Sequence, residues 1–378
     1  MFKPIIYFWL LKNTDFIESD IKIFYGIYII LKKGLAMKKY GVGMIGIGWV
    51  AGAHAIAILK NPNLKISALV SRRKESCEAL TKSLCLDCDI LDSYDDLVKH
   101  KDVDIIDICT PNVMHCEEIV RAAQAGKHMI IEKPICMNLK ELQEELDAIR
   151  KAKVKTQTGF SSRWNPHILS IESVIQKGGF GDIFFTEVDY FHEIGPWWSG
   201  YNWAANTVKG GPSASLVAGC HAVDLTRMFA GSEASEVFAY GTFGHRKDYE
   251  YYPTYAAVIK FDNGKIGKTG NSFENECPYV MNIVIHGSKG AVFNEKFFTK
   301  EIFAGQEDWQ IFKSTMLESG DVMHHSFKGM VDDLVDAILN DGQTKNNIVS
   351  SAKSHELCLA IDKSMETGQK VKLPLLKW

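Results

Sequence analysis

The chain has 378 residues, of which 46% are hydrophobic and 24% charged, and its formal net charge is −3. This length and composition predict a globular protein of about two domains. The nearly balanced charge gives no sign of a nucleic-acid or membrane partner. Nine cysteines at scattered spacings predict reduced thiols, and hence a cytoplasmic location. Cys85 and Cys88 form a C-x-x-C pair that no second pair answers, so we expect no zinc or redox site there.

The first 36 residues differ in pattern from the rest of the chain. They contain two short apolar runs, residues 5–11 and 23–31, which an acidic stretch separates. Neither run reaches the ~18 apolar residues that a membrane span needs, and the first is short for the core of a secretion signal. Met37 then leads directly into the first predicted strand. We hypothesise that residues 1–36 are a leader outside the fold and that Met37 is the natural start.

A glycine turn ends that first strand. Gly46 and Gly48 close the apolar run, and a helical pattern opens from Trp49 and Val50 onward. A strand, a glycine turn and a helix start, in this order, present backbone N–H groups to a pyrophosphate. Ala51 occupies the last position of the G-x-G-x-x-G pattern. Since this pattern is weak by itself, an ordinary glycine turn remains the alternative at this point.

The second predicted strand, residues 64–70, ends in Ser71-Arg72-Arg73. In a dinucleotide fold this position faces the adenosine ribose, where an acidic residue would bind the 2′-hydroxyl of NAD. No acidic residue is present. A hydroxyl and two guanidinium groups suit a 2′-phosphate better, so the sequence favours NADP over NAD. A solvated basic turn remains the alternative.

Strands and helices alternate up to residue 158. Further strands are predicted at residues 103–109, 128–131 and 154–158, and helices at 75–84, after Ser93, at 113–125, and from Asn138 to 150. This alternation predicts a doubly wound parallel sheet over residues 37–158. Ligands bind such sheets beyond the carboxyl ends of the strands. Thr110-Pro111-Asn112 and Glu132-Lys133-Pro134 lie at such ends, as do the glycine turn and Ser71.

From residue 159 onward, closely spaced strands predict an antiparallel sheet. The strands are expected at residues 184–191, 234–242, 255–261, 265–273 and 279–286, and two helices at 325–339 and 351–366. Asp262-Asn263-Gly264 predicts a tight hairpin. The predicted fold is therefore α/β followed by α+β, with residues 159–378 as a substrate and oligomerisation domain.

Two groups of residues are suited to proton transfer. The Glu132-Lys133 pair ends a buried strand, and a lysine there can exchange a proton with a substrate hydroxyl beside a nicotinamide. His221 and Asp224 are three apart in a predicted helix and share one face. Together they can hold a hydroxyl and receive its proton. The alternatives are a surface Glu-Lys pair, and a capping histidine with a solvated aspartate.

Several aromatic and polar residues are candidates for binding a sugar ring. Aromatic faces cover the C–H face of a sugar, while Arg and Asn bond its hydroxyls. The candidates are Arg163, Trp164, Asn202 and Trp203. For each aromatic residue a place in the core or in a loop is an equal alternative. His192-Glu193 and His324-His325 lack the spacing of metal ligands, so no metal is expected.

Taken together, these motifs resemble the glucose–fructose oxidoreductase / inositol dehydrogenase / rhizopine catabolism (Gfo/Idh/MocA) family. The resemblance runs from about Tyr40 to the C-terminus. It depends on four motifs: Gly46-Ile47-Gly48, Thr110-Pro111-Asn112 with His115, Glu132-Lys133-Pro134, and Gly219-x-His221-x-x-Asp224. It implies a Rossmann domain, and an open-faced antiparallel sheet that often mediates oligomerisation. It also implies oxidation or reduction of a secondary alcohol of a sugar, cyclitol or polyol with NAD(P).

By position, Lys133 is similar to the family's catalytic lysine, His221 to its acid–base histidine, and Asp224 to its substrate-binding carboxylate. The resemblance also implies that Pro134 follows a cis bond and that His115 belongs to the cofactor site. One position departs from the family pattern, because Val217 stands where an Asp is usual. The residues around His221, with the preceding tryptophans, look most like members that act on glycosides.

The sequence thus predicts hydride transfer between NAD(P) and a sugar, glycoside or cyclitol in a homo-oligomer. Lys133, His221 and Asp224 are the expected catalytic residues. Two alternatives stay open: a glycosidase that oxidises and re-reduces its substrate with bound NAD, and a catalytically silent dinucleotide-binding regulator.

Overall fold

The computed structural model describes residues 39–198, 200–314 and 325–378. The hypotheses about residues 1–36 and Met37 concern residues outside the described part of the chain, and so does His324. Among the helices that the structure describes, none is long and apolar enough to cross a membrane.

The first half of the described chain forms a six-stranded parallel sheet with the order β3-β2-β1-β4-β5-β6. Its strands are β1 (Tyr40–Ile45), β2 (Leu64–Val70), β3 (Asp89–Leu91), β4 (Ile105–Ile108), β5 (His128–Ile131) and β6 (Thr156–Thr158). The helices between them are α1 (Ala51–Leu59), α2 (Lys74–Leu84), α3 (Tyr94–Lys99), α4 (His115–Gln124) and α5 (Leu139–Ala152). The strand order reverses between β1 and β4, and this switch point is where doubly wound sheets bind dinucleotides.

Local caps explain where several of these helices begin and end. The Asp96 N–H donates to Ser93 Oγ (3.2 Å) before α3, and the Glu141 N–H donates to Asn138 Oδ1 (3.0 Å) before α5. Gly126, at φ +70°, follows the end of α4 in the left-handed conformation that glycine adopts without strain. The predicted helix starts at Ser93 and Asn138, and the predicted stop at Gly126, are confirmed.

The second half forms a nine-stranded sheet with the order β14-β13-β12-β11-β7-β10-β9-β8-β15. Its strands are β7 (Ile183–Phe191), β8 (Ala234–Thr242), β9 (Thr254–Phe261), β10 (Ile266–Ser272), β11 (Val280–Gly287), β12 (Gly290–Phe293), β13 (Lys296–Thr299), β14 (Gln310–Ile311) and β15 (Val371–Lys372). The predicted hairpin at Asp262-Asn263-Gly264 joins β9 to β10, with Gly264 at φ +82°. Neighbouring strands are antiparallel as predicted, with the exception of β7 and β10, which pair in parallel.

The remaining helices are α6 (Pro166–Gln176), α7 (Tyr201–Ala204), α8 (Cys220–Ala230), α9 (Phe327–Leu339) and α10 (Ile348–Thr367). Helix α8 packs on β7 and β10, and α10 packs on both β8 and α5. Helix α9 lies against α1, where Phe327, Met330 and Val331 join the core of the parallel sheet. A boundary between residues 158 and 159 therefore remains a prediction, since the C-terminal helices contribute to both halves.

Candidate functional site

The glycine turn lies at the carboxyl edge of the parallel sheet. Gly46 adopts φ +85°, and its N–H donates to the Val70 carbonyl at 3.0 Å. A Cβ at Gly46 would lie 2.6 Å from the Thr110 nitrogen, so only glycine allows β1 and β4 to end this close together. An added Cβ at Gly48 would meet none of the described atoms within 4 Å. This open space adjoins the start of α1, a position at which backbone N–H groups can bind a pyrophosphate. Pyrophosphate binding at Gly46 and Gly48 remains a prediction.

An aromatic wall borders this turn. Trp49 is 51% exposed, and its ring lies edge-on to Trp198 with centroids 6.2 Å apart. Trp198 in turn contacts Trp203, at 5.5 Å between centroids. Asn202 is exposed beside Trp203. The structure thus brings one predicted sugar-binding residue, Trp203, into the aromatic wall beside the glycine turn. Sugar binding by Asn202 and Trp203 remains a prediction.

Trp164 lies elsewhere. It is only 9% exposed and belongs to the core between the parallel sheet and α9. A Cβ at Gly329 of α9 would come within 2.3 Å of its indole ring, so helix and ring are in direct contact. For Trp164 the geometry supports the alternative that the sequence left open, a place in the core.

The turn after β2 presents the predicted cofactor-selecting residues. The Arg73 N–H donates to Ser71 Oγ at 3.3 Å, and the side chains of Arg72 and Arg73 are exposed. Because Gly46 bonds the last residue of β2, this turn lies beside the glycine turn. The two guanidinium groups are therefore available to a charged ligand at this edge.

The segment after β4 adjoins the glycine turn, and the space at this edge of the sheet is called the crevice below. Asn112 donates from Nδ2 to the Gly210 carbonyl at 2.6 Å, and Thr110 Oγ1 donates to Glu118 Oε2 at 2.5 Å. Both ring nitrogens of His115 face backbone carbonyls, Pro134 at 2.8 Å and Thr110 at 2.9 Å, and burial lowers the pKa of this imidazole. Pro111, by contrast, is exposed. The side chains of Asn112 and His115 thus brace this segment, and contact with a cofactor remains a prediction.

Lys133 extends from the end of β5 to the other half of the molecule. Its Nζ donates to the Val217 carbonyl at 3.2 Å. Val217 belongs to a wide π-type turn, Ser215–Gly219, that runs directly into α8, and His221 is the second residue of α8. The residue that departs from the family pattern therefore contacts the lysine through its backbone, which any side chain would permit. The Lys133–Pro134 bond is cis, as the resemblance implied.

His221 is enclosed by aromatic rings. Its imidazole stacks on Tyr190, with centroids 6.1 Å apart, and lies 4.9 Å from the ring of His325. Its Nδ1 is 3.4 Å from Ser162 Oγ. Ser162 lies in a short helical turn, Ser161–Trp164, which follows the last strand of the parallel sheet. The ring is therefore held in one plane, close to the turn that Lys133 contacts.

Comparison with known proteins identifies the family of the chain. A family model described as "Oxidoreductase family, NAD-binding Rossmann fold" matches residues 40–160, and one described as "Oxidoreductase family, C-terminal alpha/beta domain" matches residues 172–373. The chain belongs to the Gfo/Idh/MocA oxidoreductase family. The parallel sheet of this oxidoreductase is therefore an NAD-binding Rossmann domain.

Relatives of this oxidoreductase include sugar and cyclitol dehydrogenases. Inositol 2-dehydrogenase of Rhizobium meliloti is 25% identical over 259 residues, which cover 67% of this chain and 74% of the relative. Levoglucosan dehydrogenase of Pseudarthrobacter phenanthrenivorans is 25% identical over 294 residues, covering 68% and 74%. A structure of levoglucosan dehydrogenase in complex with NADH matches with a TM-score of 0.79 at 19% identity, covering 89% of this chain and 100% of the other. At this identity the structural match shows the shared fold.

In this oxidoreductase Asp224 is committed to a buried ion pair. Arg163 donates from Nε to Oδ2 and from Nη2 to Oδ1, both at 2.7 Å, and Ser354 Oγ donates to Oδ1 at 2.7 Å. Asp224 is 1% exposed. Burial raises the pKa of its carboxyl, but the charge and hydrogen bonds of Arg163 outweigh burial and hold the pKa below its usual range. Contact of Arg163 or Asp224 with substrate remains a prediction, because both carboxylate oxygens already accept hydrogen bonds.

Glu132 of this oxidoreductase is turned inward to a group that the sequence motifs did not reveal. Its Oε1 lies 3.1 Å from His54 Nε2, and its Oε2 accepts the Lys133 N–H at 3.2 Å. His54 Nδ1 lies 2.9 Å from Asp107 Oδ1. A Cβ at residue 159 would approach Glu132 Oε1 to 2.5 Å, so Gly159 makes room for the carboxylate.

The signal for this group was present in the sequence. His54 is the one ionisable residue of the apolar helix Ala51–Leu59, and Asp107 interrupts the apolar strand Ile105–Ile108. A charged or polar side chain in a buried element needs a partner, and each of these two residues is the partner of the other.

Proposed function

We propose that this oxidoreductase transfers a hydride reversibly between a nicotinamide and a secondary alcohol carbon of a sugar, glycoside or cyclitol. One observation carries the proposal. The amine of Lys133, at the carboxyl end of β5, contacts the turn that leads into the helix of His221. Two groups suited to proton exchange are therefore carried by elements that contact each other at the sheet edge where a Rossmann domain binds its dinucleotide. Relatives named as inositol and levoglucosan dehydrogenases support the substrate class.

When bound, NAD(P) supplies the hydride acceptor or donor. Lys133 binds the substrate oxygen and, with His221, exchanges its proton as the carbon is oxidised or reduced. The Val217 carbonyl directs the lysine amine, and Tyr190 and Ser162 hold the imidazole plane. We assign to Asn202 and Trp203 the orientation of the sugar ring, because Trp203 belongs to the aromatic wall beside the glycine turn and the exposed Asn202 precedes it in the chain. The Arg163–Asp224 pair orders the turn and the helix that carry Ser162 and His221.

We propose NADP as the preferred cofactor. The exposed Arg72 and Arg73 lie at the end of β2, beside the glycine turn, and Ser71 holds their turn through the Arg73 N–H. Guanidinium groups pair with a phosphate bidentately, whereas the turn contains no carboxylate for the hydroxyl of an NAD ribose.

The proposal is tested by a screen of monosaccharides, cyclitols and glycosides with NAD and with NADP. Absorbance of the reduced nicotinamide should rise with at least one secondary alcohol, and the matching ketone should reverse it. Glycoside cleavage without net change in that absorbance would instead identify the redox-assisted glycosidase. Cofactor binding in calorimetry, with no turnover of any compound, would identify the silent regulator.

We further propose a homo-oligomer that forms through the outer face of the nine-stranded sheet. Tyr240, Val258 and Ile266 on this face are 72%, 55% and 50% exposed. Lys268 lies among them, and its Nζ contacts Glu187 at 3.1 Å and Asp189 at 2.7 Å. Exposed apolar side chains around a satisfied ionic group suit a second copy of the same sheet. Light scattering should give a multiple of the chain mass, and Val258→Glu should lower it; a monomeric wild type would contradict the proposal.

We also propose a cytoplasmic location. All nine cysteines lie within the described residues, and each is a free thiol. Free thiols suit a reducing compartment. Alkylation of the protein in intact cells, followed by mass spectrometry, should find the exposed Cys85 and Cys277 reduced; a disulfide at either residue would argue for another compartment.

A further inference from the structure

A buried row of three ionisable side chains crosses the parallel sheet beneath the glycine turn. It consists of Asp107 on β4, His54 on α1 and Glu132 at the end of β5. Asp107 is 53 residues from His54 in the chain, and Glu132 is 78 residues from it. None of the motifs behind the proposed function includes His54 or Asp107. The row is continued by Lys133, whose N–H donates to Glu132 Oε2 at 3.2 Å.

The geometry favours a doubly protonated His54. Its Nδ1 is 2.9 Å from a carboxylate oxygen and its Nε2 is 3.1 Å from another. A neutral imidazole has one N–H, so it would leave one bare nitrogen facing a carboxylate. An imidazolium donates on both sides. Burial lowers the pKa of His54 and the carboxylate of Asp107 raises it, and on balance that pKa lies well above its usual range.

The surroundings complete the electrostatic balance. Cys109 Sγ lies 3.6 Å from both His54 Nδ1 and Asp107 Oδ1. Burial raises the pKa of this thiol to about 12, so it is neutral and donates to Asp107. From α9, the ring of Phe327 covers His54 at 4.7 Å between centroids, and it carries no charge. One imidazolium thus lies between two carboxylates, and the remaining negative charge is adjacent to Lys133.

We infer that His54, as an imidazolium bridging Asp107 and Glu132, is a positioning residue that holds Glu132 and thereby the backbone of Lys133 at the crevice. The inference deepens the proposed function and rests on it for its kinetic part. Because the bridge is a strong charge-assisted contact on both sides, it limits how far Lys133 can move from the substrate oxygen.

The protonation state is tested without substrate or cofactor. In ¹⁵N–¹H correlation spectra of the histidine-labelled protein at pH 8, the His54 resonances should show two protonated ring nitrogens. His54→Gln assigns these resonances. Glu132→Gln should convert the ring to one protonated and one bare nitrogen, or shift its titration to lower pH. A single protonated nitrogen at His54 in the wild type would overturn the inference.

A metal analysis tests the alternative that His54, Asp107 and Cys109 bind a metal ion. One ligand atom each from His54, Asp107 and Cys109 lie within 4.8 Å of one another. Metal binding requires a bare imidazole nitrogen and a thiolate, the opposite of the state inferred here. Stoichiometric zinc in the purified protein would therefore overturn the inference, whereas a metal-free protein with a doubly protonated His54 supports it.

The positioning role is tested with the alcohol that the screen identifies. A displacement of about 1 Å in a catalytic group can reduce turnover by up to about 100-fold, so His54→Gln should lower kcat while leaving the KM for NAD(P) nearly unchanged. Glu132→Gln, which keeps the shape of the side chain, should lower kcat similarly, and the double variant should add little. Equal losses in kcat and in cofactor affinity would show a merely structural role and overturn the inference.

The matched control is His128→Gln. His128 is a half-buried histidine at the start of β5, the end of the strand opposite to Lys133, and its Nδ1 accepts the Lys155 N–H at 3.0 Å. Its replacement should leave kcat unchanged. If the spectra show the imidazolium but the screen finds no alcohol substrate, the proposed function fails while the bridge stands. If the screen succeeds and His54 is neutral, the bridge fails while the function stands.

Discussion

Two buried carboxylates flank the crevice, and their cationic partners differ. Asp224, on the side of the nine-stranded sheet, is bound bidentately by Arg163 at 2.7 Å. Glu132, on the Rossmann side, is bound by His54 at 3.1 Å. For each carboxyl, burial raises the pKa, and the cation outweighs burial and lowers it. Each cluster also contacts the element that carries a proposed catalytic group, His221 or Lys133.

The difference lies in what each cation can do. A guanidinium keeps its proton at any pH that a protein survives, whereas an imidazolium loses its proton within an accessible range. The His221 side is therefore held by a constant charge. The Lys133 side is held by a charge that pH can remove, and the two halves of the site should respond differently to pH.

The carboxylate of Asp362 has hydroxyl partners instead of a cationic partner. Asp362 accepts hydrogen bonds from the hydroxyls of Ser213 at 2.6 Å and Ser215 at 2.7 Å. Burial raises its pKa to about 7, because two neutral donors stabilise a carboxylate less than a cation does. Cationic partners thus accompany a lowered carboxyl pKa, and hydroxyl partners alone accompany a raised one.

The largest effect on turnover is expected from replacing Lys133, the residue next to Glu132. Lys133→Ala should reduce kcat by about 100- to 10,000-fold, the usual contribution of general acid–base catalysis, with little change in cofactor binding by calorimetry. The control is Lys127→Ala, because the Lys127 amine donates to the Val103 carbonyl at 2.6 Å before β4. Unchanged turnover in Lys133→Ala would remove the assignment of this lysine.

The next largest effect is expected from breaking the ion pair of Arg163 and Asp224. Arg163→Ala leaves the buried Asp224 without its bidentate partner and should destabilise the protein by about 3–5 kcal/mol in urea unfolding. Lys289→Ala is the control, since Lys289 pairs with Glu301 at 3.0 Å on the surface. Its loss should be no more than about 1 kcal/mol. A similar loss for both variants would show that burial does not distinguish the two pairs.

The pH dependence separates the two clusters directly. Because the folded pKa of His54 is raised, its protonated form contributes stability that is complete below the unfolded value of about 6.5 and is lost as pH rises through the folded pKa. The stability gap between wild type and His54→Gln should therefore shrink from about pH 7 upward, while the gap for Arg163→Ala stays constant. Urea unfolding at several pH values measures both gaps. Parallel gaps would contradict the distinction between the two cations.

Asp362 should have a smaller effect on the free energy of unfolding, and at lower pH than His54. Its folded pKa of about 7 exceeds the unfolded value, so its contribution to stability is complete below about pH 4 and is lost as pH rises towards 7. Asp362→Asn should remove about 2–4 kcal/mol of this pH dependence. Asp87→Asn, at an exposed position, is the control and should leave the profile unchanged. An Asp362→Asn profile that stays parallel to the wild-type profile would contradict the prediction.

The smallest effect concerns the far end of the cofactor, which neither cluster contacts. Replacing both Arg72 and Arg73 by alanine should lower the preference for NADP over NAD by about tenfold, because charge-assisted hydrogen bonds to the 2′-phosphate are lost. Lys74→Ala is the control, since Lys74 pairs with Asp92 at 3.5 Å. A wild type that prefers NAD would contradict the cofactor proposal.

Local signals predicted much of the fold. The strands Leu64–Val70, His128–Ile131 and Ala234–Thr242 have the bounds that were expected from the sequence. Their apolar pattern and flanking turn residues lie within a few positions of each strand, so no distant contact is needed to find them. The hairpin at Asp262-Asn263-Gly264 was predictable for the same reason.

Other elements lacked such signals or were overlooked. β12–β15 are two to four residues long, too short for an alternating pattern to show. Helix α6 was missed although Asn165 caps it by accepting the His167 N–H at 2.9 Å and Pro166 is its first residue. The parallel pairing of β7 with β10 joins strands that α8, β8 and β9 separate in the chain. Spacing along the sequence does not encode such a pairing.

By itself the sequence determined the Rossmann half and the family, because these depend on short motifs and on periodicity. Only the tertiary structure decided which charges meet. The spacing of His221 and Asp224 placed both on one helix face, yet the carboxylate of Asp224 is bound by Arg163, 61 residues away. His54 and Glu132 are 78 residues apart and meet only because folding brings one side of α1 to the end of β5. A buried charge takes the partner that folding brings to it, and that partner need not be a neighbour in the chain.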